Sequence, residues 1–110
     1  MKATPVFING KDYPVKYGFA ALRSFTDETN MSLGELSSLG DNMTISQAIA
    51  LVWSGLKDGA RVMKKDFTMT LDDVADLMDE DQEAMQKVLK VFEMSMTKPE
   101  TNKRKKKIAN

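Results

Sequence analysis

The segment from Val6 to Phe25, VFINGKDYPVKYGFAALRSF, restricts the fold more than any other part of the chain. Two β-type runs, Val6–Ile8 and Tyr13–Tyr17, flank Asn9-Gly10. Asn-Gly is a strong short-range hairpin signal because both residues accept φ > 0. Lys11 and Asp12 stand before the next apolar position, so the loop is expected to be longer than two residues. After Gly18 the pattern changes period. Phe19, Leu22 and Phe25 recur at three-residue steps, as on one face of a helix. An isolated hairpin is marginal in water, so this ribbon must lie on helices or on a partner's sheet.

Capping signals divide the chain beyond Gly18 into helices. Phe19 to Thr29 is expected as the first, with Asn30 as its left-handed stop. Ser32-Leu33-Gly34-Glu35 is a capping box that opens a short helix over 33–39, ending at Gly40. Thr44-Ile45-Ser46-Gln47 is a second box, and it opens the most apolar segment, 45–64. There Ile45, Ile49, Val52 and Leu56 form a stripe that Ala48, Leu51 and Gly55 widen, while Gly59 weakens the end. A helix apolar nearly all round belongs in the middle of a core, and Trp53 is assigned there too. Thr70-Leu71-Asp72-Asp73 marks a helix over 71–78, and Asp79-Glu80-Asp81-Gln82 reads as a box that restarts the chain over 80–96. The fold class is therefore mainly α (α+β in the loose sense). A hairpin over 6–17 precedes about five helices in a single globular domain, 1–97, followed by a disordered basic tail, 98–110.

The charge balance has the same division. The chain holds sixteen basic and sixteen acidic residues. Six of the basic ones lie at 98–110 beside one acid, Glu100, so an acidic body carries a basic tail. Cysteine and histidine are both absent. A disulfide framework, a thiolate metal site, the usual zinc ligands and the commonest general base are thereby excluded. No apolar run approaches the roughly 20 residues that span a bilayer, and Met1 to Pro5 lacks the apolar core of a secretory signal. No membrane partner is expected.

Candidate chemistry is sparse. No Gly-x-Ser-x-Gly elbow or phosphate-cradling glycine loop occurs. Asp72, Asp73, Asp76, Asp79, Glu80, Asp81 and Glu83 lack the alternation and glycine turn of a calcium loop. Helix capping and the macrodipole account for them. No catalytic residue, cofactor or metal is assigned, and a non-enzyme is expected. The helix pair from Thr70 to Phe92 has helix-turn-helix spacing, but its second helix would present four carboxylates to phosphate. Only Lys103, Arg104, Lys105, Lys106 and Lys107 suit nucleic acid, without sequence selectivity. Among the nine methionines, Met85 and Met96 fall on the last helix with Val88 and Phe92, and Leu89 lies beside them. Methionine suits adaptable apolar surfaces, so Leu77, Met78, Met85, Val88, Phe92 and Met96 are expected to form a partner-binding face.

In the order of its elements the chain resembles the phage tail assembly chaperones of siphophages and prophages. Three stretches carry the resemblance: INGKDYPVKYGFAALRSF with TDETNMSLGEL, AIALVWSGLKDGAR, and FTMTLDDVADLMDE. Together they cover roughly residues 6–96. The resemblance implies a protein that keeps the helical tape measure protein soluble in the host cytoplasm, promotes tail tube assembly around it, and is absent from the mature virion. It also implies a second partner, the tail tube protein, recruited by a longer form made through translational frameshifting. Adjacent lysine codons at 105–107 would suit such a slippery site; AAG at each lysine codon would remove that expectation. A small phage DNA-associated regulator and a head–tail connector or tail-completion protein are the alternatives. Salt-sensitive DNA binding would favour the former and presence in purified virions the latter.

Overall fold

The computed structural model describes residues 3–36, 38–39 and 42–97; the expected tail at 98–110 lies outside them. Strand β1 (Thr4–Ile8) pairs antiparallel with β2 (Lys11–Val15), and Ile8 stands opposite Lys11. The loop is thus Asn9-Gly10 alone, shorter than expected, with φ of 49° and 81°. Both values are left-handed, as a primed two-residue turn requires. Lys11 and Asp12 are strand residues despite their polarity. At the open tip of the ribbon Lys11 keeps its ammonium in water, 5.4 Å from the Tyr13 ring centre. A two-residue turn makes Ile8 and Lys11 a hydrogen-bonded pair, so alternation makes Pro5 and Pro14, which face each other, a non-hydrogen-bonded one. Neither missing N–H then interrupts the ladder.

Helix α1 (Phe19–Thr29) ends at Asn30 with φ 59°, as its sequence suggests. Helix α2 covers only Leu33–Leu36. Its box is present: Glu35 N–H donates to Ser32 Oγ at 3.2 Å and Ser32 N–H to Glu35 Oε1 at 2.7 Å. It stops short of the expected Leu39 because single turns, Ser38 N–H to the Glu35 carbonyl and Leu39 N–H to the Leu36 carbonyl, replace the helical ladder. The Ser38 hydroxyl competes for the same Glu35 carbonyl.

Helix α3 (Ile45–Val62) is the axis of the fold, opened by the Thr44–Gln47 box. Leu51, Val52 and Leu56 are buried, and the core cluster takes residues from the hairpin and from α1, α3, α4 and α5. Two glycines let the hairpin approach the helix backbone. A Cβ on Gly59 would strike the Pro14 carbonyl, and one on Gly55 would strike the Tyr17 ring. Across this contact Lys16 N–H donates to the Gly55 carbonyl at 3.1 Å. The Tyr17 hydroxyl donates to the Leu51 carbonyl at 2.7 Å, and burial pushes its pKa up. Trp53 packs at the margin of the core rather than inside it. Its Nε1–H donates to the Met69 carbonyl at 3.0 Å, and Lys57 Nζ lies 4.8 Å from its ring centre.

Helix α4 (Leu71–Glu80) opens with the Thr70–Asp73 box and runs two residues past its expected end. Helix α5 is Ala84–Thr97. The expected box from Asp79 to Gln82 is not formed. The break falls instead at Asp81, whose extended backbone closes α4 through its N–H to Leu77 O. Its Oδ1 accepts from Glu83 N–H at 3.0 Å, and its Oδ2 accepts from Asn9 N–H of the hairpin turn at 2.9 Å. A tertiary partner for Asp81 moves the break two residues beyond where the local pattern puts it. No helix among the described residues is long and apolar enough to cross a membrane.

Candidate partner-binding groove

Helix α5 has three faces, and their phase separates core from surface. Ala84, Val88 and Phe92 recur every four residues and are buried, Val88 at 0% exposure and Phe92 at 8%. The Phe92 ring meets Tyr17 edge-on, 5.2 Å between centres. Met85 and Leu89 sit one residue further on, about 100° around the helix, and face a groove. That groove has a volume of about 480 Å³ and lies between the first turn of α3, the end of α4 and the start of α5. Its apolar lining is Met43, Ile45, Ala48, Met78, Met85 and Leu89, and its polar lining is Thr44, Asp79 and Gln82.

The expected binding face therefore divides. Met78 and Met85 come together in the groove. Met96, 44% exposed, falls on the same flank of α5 by helical spacing. Leu77, Val88 and Phe92 are core residues, which corrects their assignment to an open face. The physical reason is phase: the stripe drawn through Val88 and Phe92 is the one that α3 and the hairpin cover. Met43, Ile45 and Ala48 also line the groove, and sequence reasoning does not select them. Periodicity places Ile45 with the core stripe, yet it is 80% exposed, because the first turn of α3 projects past the packed elements. Its position just inside the Thr44 cap is the available signal. The tail residues Lys103 to Lys107 lie outside the described residues.

The groove can grip an apolar surface but offers no reactive group. It contains no Lys or Arg, and its one ionisable lining residue is Asp79. Its three methionines supply flexible, polarisable side chains that repack around different shapes. On the opposite flank of α5 a second, flatter apolar patch joins Pro5, Phe7, Val91 and Met94, with Lys87 and Lys90 at its edge.

A different cluster holds the corner between hairpin and α1 on α3. Asp58 has a side chain only 1% exposed, and it meets Arg61 Nη2 at 2.8 Å and Lys16 Nζ at 3.7 Å. Its Oδ2 also lies 3.4 Å from Gly18 N–H, which donates to it. With cations on both oxygens and a backbone donor, this carboxylate is a structural pin rather than a base. Among the described residues no group of three or more His, Cys, Asp or Glu is placed to hold a metal ion. Comparison of the chain with protein-family profiles, with curated proteins and with solved structures finds no match.

Proposed function

We propose that this chain is a binding protein, not an enzyme, whose methionine-lined groove holds an apolar segment of a partner. Within that class the reading we favour is a phage tail assembly chaperone that keeps the tape measure protein soluble in the host cytoplasm and promotes tail tube assembly. The observation that carries the class is the groove itself. Met43, Met78 and Met85 converge with Ile45 and Leu89 on open space, although packed elements ordinarily bury such side chains. The particular assignment is supported by the order of elements that carries the resemblance: a hairpin running into a helix, a central apolar helix, and a Thr-led helix. A chaperone for helical clients needs an apolar, adaptable face and enough charge to keep the complex in solution. The carboxylates around α4 supply that charge and disfavour nucleic acid.

The test is co-expression with the tape measure protein of the same genome, with Ile45→Glu as the disabled control. The client is expected to become soluble and co-purify with the parent chain but not with the variant. A client that stays insoluble beside well-folded chain would defeat the assignment.

A further inference from the structure

The C-terminal end of α3 gathers cations in a body that is acidic as a whole. Residues 57–65 hold Lys57, Arg61, Lys64 and Lys65 against Asp58 alone. The helix dipole favours a cation in the last turn, which accounts for Arg61. Lys57 lies more than a turn inside the end and Lys65 beyond it. Lys64 takes φ 58°, and Lys65 N–H donates to the Ala60 carbonyl at 2.9 Å. This closure turns the chain back along α3, to where the Met69 carbonyl meets Trp53. Between α1, α3 and the returning segment lies a cleft of about 340 Å³. Ala20 and Ser24 of α1, one helical turn apart, line it with Lys57 and Arg61 of α3 and with Lys65 and Phe67.

The donors around this cleft are only partly used. One oxygen of Asp58 accepts from Arg61 Nε at 2.9 Å and Nη2 at 2.8 Å, and the other stands 3.7 Å from Lys16 Nζ. The guanidinium is thus held by one edge, and Nη1 has no protein partner among the described residues. There Lys57 and Lys65 have no ion-pair partner, and the Ser24 hydroxyl has no hydrogen-bond partner. The carboxylates of the cleft are Asp58 and Asp66. Lys16, Lys57, Arg61 and Lys65 outnumber them by two positive charges. A carboxylate ligand neutralises one of these, whereas a phosphate monoester brings nearly two negative charges and three acceptor oxygens. Arg and Lys donors suit that group, and Phe67 and Ala20 give the cleft an apolar wall. We infer that this cleft binds a small phosphate monoester, its dianion held by Arg61, Lys57, Lys65 and the Ser24 hydroxyl and its organic group laid against Phe67. The cleft shares no residue with the methionine groove, so the inference stands apart from the proposed function.

The experiment titrates the full chain by calorimetry at low salt with phenyl phosphate, inorganic phosphate and benzoate. Phenyl phosphate is expected to bind saturably at one site, about tenfold more tightly than the other two, because each of them lacks either the ring or the second charge. Trp53, the single tryptophan, reports the place. Lys57 Nζ lies 4.8 Å from its ring centre, and its emission should change as the ammonium turns to the ligand. The double variant Lys57→Gln, Lys65→Gln changes only exposed side chains and should weaken binding about tenfold or more. Ser24→Leu, which fills the cleft at constant charge, should abolish it in a chain whose circular dichroism matches the parent. Lys11→Gln, at the hairpin tip, and Ile45→Glu, in the groove, should bind as the parent does. Absence of saturable binding would overturn the inference, as would full binding by the double variant or by folded Ser24→Leu. Benzoate binding as tightly as phenyl phosphate would overturn the dianion, and an equal loss in Lys11→Gln would reduce the effect to diffuse surface charge.

Discussion

The carboxylate of Asp81 collects donors from three directions: the Asn9 backbone at the hairpin tip, the Glu83 backbone at the start of α5, and Lys87 at 3.5 Å. The Asn9 hydrogen bond, reinforced by Glu83 and Lys87, holds its pKa below the ordinary aspartate value of 3.8, against a smaller upward push from burial. A group whose folded pKa is depressed adds stability that is complete above its unfolded pKa and is lost as pH falls through the folded value. Urea midpoints of the parent and Asp81→Asn should therefore differ at pH 7 and converge as the pH drops below about 4; a gap that stays constant would contradict this. Asp58 acts differently, because its partners are unequally exposed. Arg61 is 60% exposed at the side chain, so Arg61→Ala should cost under about 1 kcal/mol. Asp58→Ala leaves the Lys16 ammonium in a nearly closed site and should cost about 3 kcal/mol. Chemical denaturation of the two variants measures both.

At the scale of elements, α3 owes its closeness to the hairpin to Gly55 and Gly59, which a propensity argument treats as weaknesses. On an open helix Gly→Ala stabilises by roughly 1 kcal/mol. Here Gly59→Ala drives a methyl into the Pro14 carbonyl and should instead destabilise by about 1–3 kcal/mol, a reversal of sign readable from a thermal melt. Helix α5 offers a second contrast. Phe92→Ala empties a core site beside Tyr17 and should cost about 3–5 kcal/mol. Met96→Ala, on the open flank, should change stability by less than about 0.5 kcal/mol. Equal costs would mean that the phase assigned to α5 is wrong. Periodicity alone could not supply that phase: Met85, Val88, Leu89, Phe92 and Met96 cover more than one face, and neighbours determine which face is covered.

Across the whole molecule, both edges of the two-stranded sheet are already used. The outer edge of β2 meets α3 through Lys16 N–H and the Gly55 carbonyl. That of β1 lacks an N–H at Pro5 and has the Phe7 carbonyl and Asn9 N–H taken by Lys87 and Asp81. Strand addition by a partner, left open by the bare hairpin pattern, is thus disfavoured, and the groove beside α4 and α5 offers a partner open apolar space. Amide hydrogen exchange should be slowest at Leu51, Val52 and Leu56 in α3, which the other elements cover, and fast at Leu33 to Glu35, the exposed part of a single turn that only Leu36 anchors in the core.

What the sequence determined by itself was whatever depends on a few consecutive residues. The Ser32, Thr44 and Thr70 boxes rest on side chains reaching backbone groups three positions away, and the Asn30 stop and the hairpin at Asn9-Gly10 rest on residues that accept positive φ. The tertiary structure decided the rest. It set the break between α4 and α5, because Asp81 bonds to Asn9, 72 positions away. It gave Gly55 and Gly59 their role, because the hairpin backbone passes over them. It turned Val88 and Phe92 inward while leaving Met85 open, and it brought Met43 and Ile45 to the groove. Each of those outcomes requires knowing which face of one element another covers, and short-range patterns carry no information about contacts between distant segments.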